Sequence, residues 1–141
     1  MRTTLFLFIA GMATLGFADF ATKQTSGRIS PALGTLIYAA TAMVPAMAWT
    51  LWTRAHEPLV VTRVGGMWAV ATGLAFGIFA GILFFLFSHG VNLSVGAPVI
   101  RLGGLAFAAL LGILVLREPF NLQSIAGFAL ATLGILLIAM R

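Results

Sequence analysis

Two ionisable side chains fall beside or inside long apolar runs of this 141-residue chain, and they set the chemistry to be explained. Asp19 follows LFLFIAGMATLGFA, and Arg101 follows VNLSVGAPVI. A carboxylate can carry a proton or neutralise a cation, and a guanidinium can hold a carboxylate or phosphate through paired charge-assisted hydrogen bonds. Insertion scales put about 2.5–3.5 kcal/mol on such a charge at the centre of a membrane helix, so these groups face a partner, a cavity or the interface. Asp19 has Lys23 four residues on, the spacing of a local ion pair on a helix. Two readings stand side by side: that pair near an interface, or a carboxylate facing a cavity. Arg101 likewise either snorkels to the nearer interface or lines a cavity. Tyr38 and Pro98 complete the substrate-path candidates. The Tyr38 hydroxyl needs a partner, in a core or in a wet cavity. Pro98 removes a backbone hydrogen bond one turn before Arg101.

Other chemistries lack residues. The three acidic side chains, Asp19, Glu57 and Glu118, are scattered over different segments, and there is no nucleophile–base set. Absence of cysteine rules out a disulfide, a thiolate metal site and a Cys nucleophile. His56 and Glu57 are adjacent without further ligands and read as solvated loop residues; His89 reads as a turn residue. An enzyme is therefore not expected, nor a metal or cofactor. The net charge of +5 is spread singly along the chain with no basic patch, which argues against a nucleic-acid partner.

The elements that must position these residues are membrane helices. Hydrophobic residues make up 61% and charged residues 8% of the chain, against roughly 45–50% and 25% in globular proteins. The apolar runs do not alternate as transmembrane strands would, and each is long enough to cross about 30 Å of hydrocarbon as a helix. The expectation is an all-α polytopic membrane protein, one domain over 1–141, with five transmembrane helices at about 4–22, 31–52, 66–88, 93–116 and 121–140. Arg2, the run Leu5–Leu15 and Gly16-Phe17-Ala18 have the shape of a signal peptide. The favoured reading is a first helix continuing to Thr22.

Within that frame Pro31 suits a first helical position, and Trp49 and Trp52 suit an interfacial belt before a polar connector, Arg54 to Arg63. Helix 3 carries a small-residue stripe, Ala69, Gly73, Gly77 and Gly81, which allows close backbone approach. Phe76, Phe79, Phe84, Phe85 and Phe87 are assigned to its opposite surface, for lipid contact and packing in preference to an aromatic substrate pocket. Pro98 and the pair Gly103-Gly104 predict a bend or partly opened turn in helix 4. Asn121 is the expected N-cap of helix 5, where Gly127, Ala131 and Gly134 mark a narrow packing face.

Five spans put the termini on opposite sides. The N-terminal side, side A, carries Arg2, Arg54, Arg63 and Arg117; side B carries Lys23, Arg28 and Arg141, with Arg101 added if it snorkels there. Such balance leaves the positive-inside rule little to act on. Insertion in both orientations, followed by antiparallel pairing of two copies, is the physical consequence to test. The same count brings the end of helix 1 and the start of helix 4 to side B, so Asp19 and Arg101 are expected to be neighbours.

The residues Ala97-Pro98, Arg117-Glu118 and Gly127 through Gly134-Ile135-Leu136, in that order and spacing, resemble the drug/metabolite transporter superfamily, in particular its EamA-like members. Gly16-Phe17 and Lys23 are similar to the superfamily's opening helix, and the length resembles its five-helix group. Arg117 stands where glycine is usual before the glutamate. Pro31-x-x-Gly34-Thr35, Gly103-Gly104 and the seven-residue Gly127–Gly134 spacing are also similar to the small multidrug resistance proteins. Those use a glutamate in the middle of helix 1, which this chain lacks. The resemblance implies a multi-pass protein of the cell (inner) membrane, a small exporter of a metabolite or drug-like solute, working as a homodimer by alternating access. Gly73, Gly77, Gly81, Gly127 and Gly134 would serve helix packing or dimer contact. The alternatives are a flippase for a lipid-linked carrier and a non-transporting membrane assembly subunit. Partners on this reading are membrane lipid, a small-molecule substrate and a second copy of the chain.

Overall fold

The computed structural model describes residues 2–117 and 122–140. The described residues form five α-helices without a strand: α1 (Arg2–Thr25), α2 (Pro31–His56), α3 (Arg63–Ser88), α4 (Leu93–Leu114) and α5 (Leu122–Ala139). The first four are long and apolar enough to cross a membrane; α5 adds an apolar helix of 18 residues. Glu118, Pro119 and the expected N-cap Asn121 lie outside the described residues.

α1, α2 and α3 exceed their apolar runs, because a helix ends where its backbone must change course rather than where hydrophobicity stops, whereas α4 ends at Leu114, two residues short of the expected 116. α1 continues to Thr25 and is followed by Gly27 at φ +73°, a left-handed position that glycine occupies without a Cβ clash. α2 continues through Arg54 to His56, and Glu57 turns extended (φ −142°, ψ 149°), as the residue before Pro58 prefers. The expected connector thus shrinks to six residues, 57–62, and His56 belongs to the helix rather than to a loop. α3 starts at Arg63, where the Thr62 hydroxyl accepts the Gly65 N–H at 3.1 Å, an N-cap that frees the helix from waiting for its apolar run. α4 is helical throughout from Leu93 to Leu114, so Pro98 and Gly103-Gly104 do not open a break in it. α2 likewise runs unbroken across an interior proline, Pro45.

The chain divides into two compact units, 1–90 and 91–141. In the first, α3 is the central helix and packs against both α1 and α2. Its buried residues, Asp19, Gly34, Ala80, Leu83, Phe84 and Phe87, all belong to one end: the last turns of α1 and α3 and the first turns of α2. Towards the other end nearly every side chain is exposed. In the second unit α4 packs against α5, and Gly96 and Gly112 of α4 are buried.

The assignment of all five α3 phenylalanines to the face opposite the glycine stripe is corrected. Seven residues separate Gly77 from Phe84, which is close to two full turns, so Phe84 lies within about 20° of the glycine line. Phe84 and Phe87 are core residues, Phe79 is half-buried, and Phe76 and Phe85 are exposed. Gly34 of α2 meets the Phe84 ring: a Cβ built there would fall 2.8 Å from Phe84 Cε1. Of the stripe, Gly81 faces the Thr35 side chain, whereas Gly73 and Gly77 have open space in front of them.

Candidate functional site

The closed end of the first unit gathers the polar residues. Asp19 is 6% exposed, although it sits on an apolar helix of mostly exposed residues. One turn further on, Lys23 reaches α3: its Nζ donates to the Phe87 carbonyl at 3.5 Å and lies 5.5 Å from the centre of the Phe87 ring. Ser26 donates to the same carbonyl at 2.6 Å, and the Gly90 N–H adds a third donor at 3.2 Å.

The physical reason is the end of α3. The last carbonyls of a helix have no intrahelical N–H, and the aligned peptide dipoles leave partial negative charge there. A lysine and a hydroxyl supplied by the end of α1 and the turn after it answer both. Among the described residues no buried side-chain nitrogen or oxygen lacks a hydrogen-bond partner.

The other sequence-selected residues are placed within their own units. Tyr38 is four residues beyond the buried Gly34 on α2, so it stands one turn past the packed zone, and it is 39% exposed. Pro98 and Arg101 share α4, one turn apart, and both are half-buried in the second unit. Lys23, Ser26 and Phe87 are therefore gathered at the end of the first unit that also buries Asp19, and Pro98 and Arg101 share one helix of the second. In the single chain Gly127 has open space where a side chain would be, as does Gly134. Two shallow apolar hollows lie away from the polar group, one on α2 (Met43, Ala46, Met47, Thr50, Leu51) and one on α3 (Gly66, Met67, Val70, Ala71, Leu74).

Ser26 and Phe87 carry no sequence signal of their own. Phe87 acts through its backbone carbonyl, which no side-chain motif encodes, and Ser26 looks like an ordinary loop serine. The only hint is position: a hydroxyl three residues after Lys23, at the foot of the same helix.

Four apolar spans, a fifth apolar helix and a buried carboxylate on the first of them define a polytopic helical membrane protein. The family model of the EamA-like transporter family matches residues 2–140, and the chain belongs to that family, part of the drug/metabolite transporter superfamily. No curated protein matched significantly, and no solved structure did. Members of the family are transporters rather than enzymes, so membership supports membrane transport of small solutes.

Proposed function

We propose that the protein is a small-solute exporter of the cell (inner) membrane that works as a homodimer by alternating access. Two copies in antiparallel orientation would reproduce the inverted repeats of larger transporters. The observation that carries the reading is the buried Asp19 at the closed end of a family-matched helical unit. Ionisable groups held inside membrane proteins mark substrate or ion paths. In this proposal Asp19, Tyr38, Pro98 and Arg101 border the path. Arg101 selects an anionic or zwitterionic solute, and Asp19 is its counter-ion or the coupling carboxylate. Gly73, Gly77 and Gly81 on α3 and Gly127 and Gly134 on α5 supply packing and dimer contacts. The exposure of Gly73 and Gly127, and the open space in front of the half-buried Gly77, are in keeping with that role.

Reconstitution into vesicles, with flux screens over amino acids, organic anions and cationic drugs, tests the proposal. Asp19→Asn and Arg101→Ala are expected to lower flux of the transported solute by about tenfold or more, the loss of one charge-assisted contact of about 1.5–3 kcal/mol. Full flux in both variants overturns the site. Reporter fusions test the pairing: a single fixed orientation of the unaltered chain overturns the antiparallel dimer.

A further inference from the structure

The connector between α2 and α3 presents an apolar tip on a charged frame. Leu59, Val60 and Val61 are 49%, 86% and 85% exposed. Arg54 and His56 precede them, and Arg63 follows, all exposed; Glu57 is the one acidic group in the segment. The tip is held at both ends: the Glu57 N–H is bonded to the Thr53 carbonyl at 2.8 Å, and Thr62 caps α3. All three tryptophans of the chain lie on the flanking helix ends. Trp49 and Trp52 meet edge-on with ring centres 6.4 Å apart, Trp52 packs on His56 at 4.9 Å, and Trp68 is exposed.

Helix length sets the depth. α2 and α3 have 26 residues each, about 39 Å at 1.5 Å per residue, against about 30 Å of hydrocarbon. Their ends therefore reach the headgroup layer, where tryptophan belts sit. Three consecutive exposed aliphatic side chains are unfavourable in water and favourable just below headgroups. Two arginines beside one carboxylate leave net positive charge at that level, which suits anionic phospholipid.

We propose that this connector is a lipid anchor, with Leu59, Val60 and Val61 inserted below the headgroups while Arg54 and Arg63 hold anionic phosphates. It rests on membrane embedding alone and not on the transport reading.

The absence of cysteine allows a clean test: Val60→Cys, labelled with an environment-sensitive fluorophore and reconstituted in vesicles whose lipids carry bromine near the top of the acyl chain. A Gln24→Cys label at the exposed polar end of α1 serves as reference. The Val60 label is expected to shift to the blue and be quenched, the reference label to stay unquenched. Brominated anionic lipid should quench the Val60 label about threefold or more better than brominated zwitterionic lipid, and Arg54→Gln with Arg63→Gln should remove that preference. A water-exposed, unquenched Val60 label overturns the proposal. So does efficient Val60→Cys cross-linking between two copies, which would make the tip an interface between chains. Flux measurements are independent of either result.

Discussion

The two ends of the α1–α3 unit are built from similar apolar sequence and differ in what they bury. At the Thr25–Pro31–Ser88 end, Phe87 is fully buried, a ring fills the space in front of a glycine, and two side chains from α1 and its turn cap α3. At the Arg2–His56–Arg63 end, the aromatic and aliphatic side chains point outward, and the polar contacts are local to one helix, such as the Thr62 cap and His56 Nδ1 with the Trp52 carbonyl. Hydropathy is nearly blind to this difference. In a bilayer, apolar side chains gain little from leaving lipid for one another, so packing and polar contacts decide which end closes.

The largest test of that contrast is truncation of a ring at each end. Phe87→Ala is expected to destabilise by about 3–5 kcal/mol, the range for a buried phenylalanine. Phe76→Ala, at an exposed ring, should stay within about 0.5 kcal/mol. Thermal or denaturant unfolding in detergent reads both, and equal effects would erase the distinction between the ends.

Glycines give the next contrast. Gly34→Leu forces a side chain into the Phe84 ring and should cost about 1–3 kcal/mol through overpacking. Gly77→Leu meets open space in the single chain and should leave monomer stability unchanged. If it weakens dimerisation on gel filtration or cross-linking, the proposed contact role of the α3 stripe is sharpened.

Smaller effects concern the polar contacts. Ser26→Ala removes one donor from the Phe87 carbonyl and should cost about 0.5–1.5 kcal/mol, read by the same unfolding measurements. Amide exchange at the end of α3 should rise in parallel. Smallest is the contrast between caps: Thr62→Ala should cost about 1 kcal/mol, because its hydroxyl holds the Gly65 N–H. Ser30→Ala should cost almost nothing, because Ser30 occupies the N-cap of α2 without a side-chain bond.

Much of the fold was legible in the chain. Helix number, helix type and approximate positions followed from run length, and Pro31 marked the start of α2 by its fixed backbone angle. Helix ends were less legible, since apolar runs mark where lipid begins and not where the backbone stops. Pro58 and Thr62 held that information. Arg117 is instructive in another way. The family resemblance puts glycine at this position, and Arg117 adopts φ +54°, the left-handed conformation that glycine tolerates best. The departure in sequence therefore falls on a strained backbone.

The site was legible only in part. Asp19 stood out because a charge beside an apolar run demands an explanation. The polar contact at the same end did not, because Ser26 and the Phe87 carbonyl lie 61 residues apart and meet only when α3 packs on α1.

The sequence by itself determined that this protein lies in a membrane as helices, and its family, because run length, glycine spacing and turn residues are local properties. The tertiary structure alone decided that one end of α1–α3 is closed and that Phe84 belongs to the core. It also decided that a backbone carbonyl gathers the polar side chains. Those outcomes depend on which faces meet, and helices with similar hydropathy all round do not specify that until close packing and the unmet carbonyls of a helix end select it.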